Sequence, residues 1–432
     1  MKRIGTRTVV LFVLSLPLNA ATIVVDQHGA GDFIAIQEAI TAAWDFDTVE
    51  VNPGLYSEHI NFFGKAITVK SNDPNDPNIV TNTILDGGGN GNVVTFNNAE
   101  TSMSILDGFT VQNGENGIYC TGNDTQPQIT RCVIHSNTNG VRGPYARPVI
   151  SACTIENNSE IGIFSCAGQI DTSLIANNGG DGINDLWGRA KNCIIRQNGG
   201  RGAYNENHAR GNLENCIISG NGGHGAHCVE ATWFVTNCTI AGNGGSGITT
   251  YYWGRADVKN SIIAQNQAWG VVGEITLSYN NIWGNRSGPY YAVSAGPHDI
   301  HDKPWFAMPG YWDSPGTWHE GDYHLRSTKG RWDPRTQMWM TDPIDSPSID
   351  AGDTGDQVLG ELYPHGDRIN QGAYGGTDEA SMSEKSGPSC VEQPVMDFNR
   401  DCKVDALDLD IFMESWLQCN LDDPSACVFV QE

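Results

Sequence analysis

CIIRQNGGRGA (193–203), CIISGNGGHGA (216–226) and CTIAGNGGSGI (238–248) are three versions of one phrase, and a fourth, CVIHSNTNGV, stands at 132–141. In each, an anchor residue is followed five positions later by Asn and then by Gly. The anchor set runs Gly108, Cys132, Cys153, Ser173, Cys193, Cys216, Cys238, Ser261 and Asn280. The Asn set runs Asn113, Asn137, Asn158, Asn178, Asn198, Asn221, Asn243, Asn266 and Asn285, and the Gly set Gly117, Gly140, Gly162, Gly182, Gly202, Gly225, Gly247, Gly270 and Gly288. Successive anchors lie 19 to 24 residues apart. A period of that length marks a solenoid, in which each repeat buries its apolar face only by stacking on its neighbours.

The apolar residues obey the same period. Ile134, Ile155, Ile175, Ile195, Ile218, Ile240, Ile263 and Ile282 stand two after the anchor, and Ile129, Ile150, Ile170, Leu213, Val235 and Val258 three before it. Like therefore sits over like, in coils of short strands about 4.8 Å apart, and nine coils make a rod of roughly 43 Å. Parallel crossovers are right-handed almost without exception. The fold expected is all-β, a right-handed single-stranded parallel β-helix. The Asn set is expected to form an amide ladder at coil turns and to tolerate the left-handed backbone there, and the Gly set to supply positive φ or close approach. Five of the 12 cysteines are anchors, expected as stacked free thiols rather than bridges, whereas Cys120, Cys166 and Cys228 lie off that ladder.

Residues 1–20 read as an export signal: Lys2, Arg3 and Arg7, an apolar run from Val9 to Leu18, then Ala20 and Ala21. No later run is long and apolar enough for a transmembrane helix. A secreted or cell-surface location is expected. The net charge of −25 argues against nucleic acid as a partner. It is unevenly spread, however: Gly108–Gly288 holds 12 acids against 11 bases, and Ser381–Glu432 holds 11 against 3. The repeats are near neutral, so the overall charge does not exclude an acidic glycan.

Residues 21–290 form the expected β-helix with its N-terminal cap. In the cap, Thr22–Asp26 is a strand, and Ile36, Ala39, Ile40 and Ala43 recur at helical spacing to plug the first coil. With Pro53-Gly54-Leu55-Tyr56-Ser57-Glu58, this segment resembles the N-terminal cap of pectate-lyase-like and pectinesterase-like β-helix proteins. The pectinesterase motifs Gln-Asp-Thr-Leu and Gly-Arg-Pro-Trp are absent. Gly223-His224-Gly225 is similar to the Gly-His-Gly of polygalacturonases, but it falls in a repeat turn without that family's companion acids. Residues 291–380, rich in Trp, Tyr, Pro and Gly, are expected as irregular final coils and a C-terminal cap, resembling the closing segment of secreted bacterial β-helix proteins. Residues 381–389 are a linker.

Residues 390–432 carry a twelve-residue calcium loop. Asp397, Asn399, Asp401, Asp405 and Asp408 place oxygens at its first, third, fifth, ninth and twelfth positions, and Lys403 offers its carbonyl. The loop runs into an amphipathic helix through Leu409, Ile411, Phe412, Trp416 and Leu417. The segment resembles a dockerin repeat. It departs in having Cys402 at the sixth position and in being single. The resemblance implies Ca2+ and a cohesin-like or surface partner; the bland reading is a stabilising tail. Cys390, Cys402, Cys419 and Cys427 allow two bridges in three connectivities.

A site on such a rod forms from outward residues of neighbouring coils. Tyr145-Ala146-Arg147, Trp187-Gly188-Arg189, His208-Ala209-Arg210 and Trp253-Gly254-Arg255 share one pattern, with Trp233, Tyr251 and Tyr252 on the same side. Aromatic faces stack on sugar rings, and Arg reads carboxylates bidentately. Tyr145, Arg147, Trp187, Arg189, Trp233, Trp253 and Arg255 are the expected substrate-binding set. Asp185, Glu206 and Glu230 come from three successive coils, at separations that bracket glycosidase geometry. The trio is equally able to hold a calcium ion acidifying a uronate proton, with His208, Arg210 or His227 as base. Against this stand salt bridges between stacked Arg and acids, and aromatics that merely shield the core. The leading expectation is a lyase or glycoside hydrolase on extracellular polysaccharide; the rival is a non-catalytic binding or structural protein.

Overall fold

The computed structural model describes residues 20–384, apart from 314, 315 and 359, together with the single positions 396, 404 and 409. The leader up to residue 19, the calcium-loop ligands Asp397, Asn399, Asp401, Lys403, Asp405 and Asp408, and the four cysteines around them lie outside the described residues.

The chain winds through about twelve turns of a right-handed solenoid built on three parallel sheets. The first sheet has 12 strands, from Thr22–Val25 to Ile275–Ser278. The second has 11, from Gly54–Tyr56 to Asn281–Trp283, and the third 11, from Ile60–Asn61 to Gly288–Tyr291. One coil shows the plan. Val149–Ser151 joins the first sheet, Ala152 turns the corner, Cys153 is the anchor, Thr154–Glu156 joins the second sheet, and Asn157 turns the next corner before Asn158. The period-one expectation holds in register: Ile134, Ile155, Ile175, Ile195, Ile218, Ile240, Ile263 and Ile282 pair in turn. All are essentially fully buried.

Three details refine the expectations. The left-handed residue at each corner is the one before the ladder position: Ser136, Asn157, Asn177, Gln197, Gly220, Gly242 and Gln265 have positive φ. The ladder Asn are thereby free to bond. From Asn137 to Asn266 each Nδ2 reaches the next coil's Oδ1, as from Asn198 to Asn221 and from Asn221 to Asn243, both 2.9 Å. In the repeat that begins at Gly108 the reading slips by one: Gly108 and Asn113 are corner residues, φ 76° and 57°, and Phe109 and Gly114 hold the ladder positions. Most of the Gly set serves close approach rather than positive φ. A Cβ on Gly202 would lie 2.4 Å from Ile218 Cγ2 and 2.6 Å from the Gly225 carbonyl.

The cysteines act as more than small apolar residues. Each anchor thiol donates to the carbonyl two residues earlier, at 3.1–3.3 Å, for example Cys193 to Lys191 and Cys238 to Thr236. Ser173 and Ser261 make the same bond with their hydroxyls, 2.8 and 2.9 Å, which is why Ser replaces Cys there. Cys120, Cys166 and Cys228 are buried on the inner side of the third sheet. All eight described cysteines are buried free thiols. Burial pushes Cys166 up to about 11 and Cys228 up to about 12, so both stay protonated and unreactive.

The cap motif has a structural purpose. Helix α1 (Ile36–Ala42) closes the first coil with Ile36, Ala39 and Ile40 buried. Glu58 accepts the free N–H groups of Ile36 and Gln37 at its start, both 2.9 Å. The Tyr56 ring is buried and its hydroxyl donates to the Asn52 carbonyl, 2.8 Å.

Only part of 291–380 continues the coils. Ile300 bridges Asn281, and Asp299 accepts from the Asn280 amide, 2.8 Å. The remainder returns along the outer face of the second sheet as a strap with three antiparallel strand pairs. The cause is the apolar outer face there: Ile217, Ala241, Ile262 and Ala264 form a second core with Phe306, Trp318, Tyr323, Leu325 and Ala373. Trp318 lies directly against Gly220 and Gly242, where any Cβ would meet its ring at 2.0 Å.

The strap also carries a buried acid. Glu361 Oε1 accepts from the Asn370 and Gly376 amides, both 2.8 Å, while Oε2 is buried with no partner among the described residues. Burial pushes this carboxyl up to about 8. The folded chain thus retains a proton that the unfolded chain releases near the ordinary carboxylate value. Stability from this group is greatest below that value and falls as pH rises through about 8. Glu361→Gln is expected to raise the thermal midpoint at pH 9 by several degrees and to change it little at pH 4. A shift of equal size at both pH values would assign the effect to packing instead.

Candidate functional site

Every residue expected at the polysaccharide site sits on or beside the connection from a third-sheet strand to the following first-sheet strand. The structure splits them into two adjoining groups and removes one.

Trp233 is removed. Side chains alternate along Thr232–Thr236, and Trp233 pairs with Gly211 and Ala256 on the inward side. Its ring is fully buried in the room Gly211 leaves, where a Cβ would meet it at 2.3 Å, and its Nε1 donates to the His227 carbonyl, 3.0 Å. Trp233 is core, and Phe234 faces out instead.

The first group lies on the outer face of the third sheet. Tyr204, His227 and Thr249 are register partners. Asp181 Oδ1 accepts from Arg201 Nε, 3.0 Å, and from its backbone N–H, 2.7 Å. The guanidinium lies 3.6 Å above the Tyr204 ring, and its Nη1 is 3.3 Å from His227 Nδ1. Tyr204 donates to Glu206, 2.7 Å, and the Glu206 amide donates to Asp185, 3.1 Å. Burial, then the bond to Glu206, pushes the Tyr204 phenol up to about 12. Burial raises Asp185 and the Glu206 charge adds to it, partly offset by the Glu206 amide. Burial, then His224 and Arg201, push His227 down to about 4.

The tautomers follow from the donors. Arg201 can only donate, so His227 Nδ1 accepts, and the neutral ring carries its proton on Nε2. That Nε2 is buried with no hydrogen-bond partner among the described residues. His224 Nδ1 accepts from the Ser246 amide, 2.9 Å, which sets the same tautomer. Neither His is arranged as a base. Arg201, Tyr204, Asp181 and His224 were not among the expected site residues. The only signal for them was their occupancy of variable slots beside ladder glycines.

The second group lines an open cleft of about 320 Å3: His208, Arg210, Glu230, Ala231, Thr232, Trp253 and Arg255. Arg210, Thr232 and Arg255 are register partners on three successive coils. Here the histidine is set the other way. The Glu230 carbonyl can only accept, so His208 Nδ1 donates to it, 3.1 Å, and the exposed ring keeps its Nε2 lone pair. Among the described residues Arg210 has no ion-pair partner, whereas Arg255 pairs with Glu274 at 3.1 Å. Trp253 is 85% exposed beside them. His208, Glu230, Trp253 and Tyr145 all have positive φ, between 50° and 66°. The same left-handed backbone recurs at corners all along the rod, so here too it marks a turn of the coil.

The shared aromatic–Arg pattern is therefore not one row. Arg189 pairs in register with Asn212, two residues past Arg210, and reaches Glu214 at 3.7 Å. Tyr145, Trp187, Tyr251 and Tyr252 are exposed, as is Arg147, which has no ion pair among the described residues. The carboxylates divide as well. Asp185 and Glu206 are neighbours, and Glu230 belongs to the cleft. Among the described residues no group of three or more His, Cys, Asp or Glu is able to hold a metal ion, so the trio does not converge on calcium.

A family model described as the right-handed beta helix region matches residues 71–233 and 168–299. The chain is similar in structure to the pectate lyase Pel9A, at 14% identity and TM-score 0.51, over 85% of this chain and 96% of that one. It is also similar to the A-module of the mannuronan C-5 epimerase AlgE4 of Azotobacter vinelandii, at 16% identity and TM-score 0.42, over 62% of this chain and 95% of that one. No curated protein matches the sequence. No helix among the described residues is long and apolar enough to cross a membrane.

Proposed function

The chain belongs to the right-handed β-helix family, and on that footing we propose that it is an exported enzyme that cleaves a uronate-containing polysaccharide by β-elimination in the His208–Arg210–Trp253 cleft. One observation carries this reading. A histidine with an available Nε2 lone pair shares a concave site with an arginine that, among the described residues, has no ion-pair partner. Arg210 would take the uronate carboxylate as a bidentate pair and stabilise the charge that develops on it. Trp253 would stack on a sugar face. His208 Nε2 would remove the proton α to that carboxylate. The electron pair then forms the C4–C5 double bond as C4–O4 breaks, and O4 takes the proton carried by the imidazolium. Glu230 contributes its carbonyl, which holds the tautomer.

The test uses the full chain with polygalacturonate, alginate, chondroitin and xylan, following both ultraviolet absorbance and reducing ends. Absorbing ends from an acidic glycan support elimination. Reducing ends without absorbance would favour a second reading, hydrolysis by the adjacent Asp185 and Glu206, the first with its carboxyl raised by burial. A folded protein that binds but releases nothing would leave the non-catalytic reading.

The loop from Asp397 to Asp408 supports calcium binding as a separate proposal, and with it attachment to a cohesin-like or surface partner. Full-length protein is expected to bind calcium in equilibrium dialysis, and Asp397→Ala with Asp408→Ala to abolish it. Chelation is expected to leave cleavage unchanged, because the proposed proton transfer draws on His208 and Arg210 alone. Activity lost with EDTA and restored by calcium would overturn that separation.

A further inference from the structure

At the N-terminal end of the rod three aromatic rings are largely exposed to solvent among the described residues. Trp44 is 78% exposed, Phe46 56% and Phe63 54%. Phe46 and Phe63 have φ of 74° and 55°, a backbone region that bulky residues seldom occupy. Their loops are nevertheless well fixed. The Trp44 amide donates to Asp47, 2.8 Å, and the Phe46 amide to the Ala66 carbonyl, 2.7 Å. Rings that a bonded backbone holds in place, with more than half of each surface open to solvent among the described residues, are placed for an external ligand.

The surroundings narrow the ligand. Lys65 spends its ammonium on the carbonyls of Ile40, Thr41 and Ala43, each 2.7 Å. Asp45 accepts from the Ala66 amide, 2.9 Å, and Asp47 from Ala21 and Trp44. The platform thus offers ring faces beside charges already engaged, which suits the apolar face of a sugar ring better than a charged peptide. Position points the same way. Trp44 and Phe46 lead into the first-sheet strand Thr48–Val51, and Phe63 into Thr68–Ser71. Exposed Met103, Tyr145, Trp187 and Trp253 lead into later strands of the same sheet. These residues follow one edge of the rod, and nine strand spacings separate the platform from Trp253, about 43 Å.

We propose that Trp44, Phe46 and Phe63 form a remote carbohydrate-binding platform that grips a distant part of the same long polysaccharide chain engaged at the cleft. The proposal rests on the polysaccharide reading above and adds that the substrate is a high polymer, not a short oligomer. The test compares the full chain with its Trp44→Ala/Phe63→Ala variant. Both are run in native gels containing soluble polygalacturonate, alginate or xylan, and both are assayed on the hexasaccharide of the glycan that retards the wild type. The variant is expected to lose about tenfold in apparent affinity for the polymer. Its hexasaccharide cleavage and thermal midpoint should equal those of the wild type. Equal retardation of the two proteins, or no retardation of the wild type by any polymer, would overturn the platform. Retardation that the variant loses, in a protein that cleaves nothing, would retain the platform and discard the elimination reading. Co-sedimentation with phosphatidylcholine vesicles, lost in the variant, would reassign these rings to a membrane surface and overturn the proposal.

Discussion

His208→Gln is expected to slow release of ultraviolet-absorbing ends by about a hundred- to ten-thousandfold, the range contributed by a positioned acid–base group. Gln can still donate to the Glu230 carbonyl, but it has no basic nitrogen. Its fold should be intact, because His208 is exposed and its ring makes a single bond to the protein. The companion variant is Arg210→Lys. It keeps the charge but loses the planar fork, and is expected to lose activity through both KM and turnover, since the carboxylate is held in the ground state and more strongly as charge develops. Asp185→Asn separates the two chemistries. If elimination is the reaction, Asp185→Asn leaves absorbing product within a fewfold of wild type. If Asp185→Asn is dead and His208→Gln active, with reducing ends but no absorbance, the carboxylate pair is the catalytic centre and the cleft only binds.

Asn221→Ala is expected to cost about 3–5 kcal/mol, since it strips several buried bonds at once. Asn221 Oδ1 accepts from both the amide and Nδ2 of Asn198, at 3.1 and 2.9 Å. Its Nδ2 donates to the Ile195 carbonyl, 3.0 Å, and to Asn243 Oδ1, 2.9 Å. Alanine leaves Asn198 N–H donors facing a methyl in the interior, with no route to solvent. In a solenoid the damage stays near the altered coil. Urea unfolding should therefore become biphasic, with the coils on either side no longer unfolding together. A single transition displaced by less than about 1 kcal/mol would show that the ladder is geometric decoration and not a source of stability.

The repeat was legible because a solenoid writes its fold one coil at a time. Every coil must place an apolar residue over an apolar residue, so the period itself exposes Ile134 through Ile282 and the ladder Asn. Where the reading slipped, at Gly108 and Asn113, a Gly and an Asn one place early looked like an anchor and a ladder residue. Both types suit the left-handed corners that precede those positions. The Gly-x-Tyr-x-Glu segment was visible as a cap motif, but its purpose appeared only when Glu58 met the open start of α1.

The site was less legible, for physical reasons. Whether an aromatic residue in a strand faces in or out depends on register with the next coil, and loops of unequal length change that register. Hence Trp233 is core while Trp253 is exposed, and Arg189 falls two residues out of step with Arg210. A histidine's role depends on what its other nitrogen touches: Glu230 O leaves His208 basic at Nε2, whereas Arg201 and the Ser246 amide spend the Nδ1 lone pairs of His227 and His224. By itself the sequence determined the parallel β-helix and its buried ladders, which follow from contacts between equivalent residues at a fixed period. Only the tertiary structure decided that the segment after the last coils folds back as a strap, which side chains share the cleft and which nitrogen holds each proton, because these depend on contacts between residues with no periodic relation.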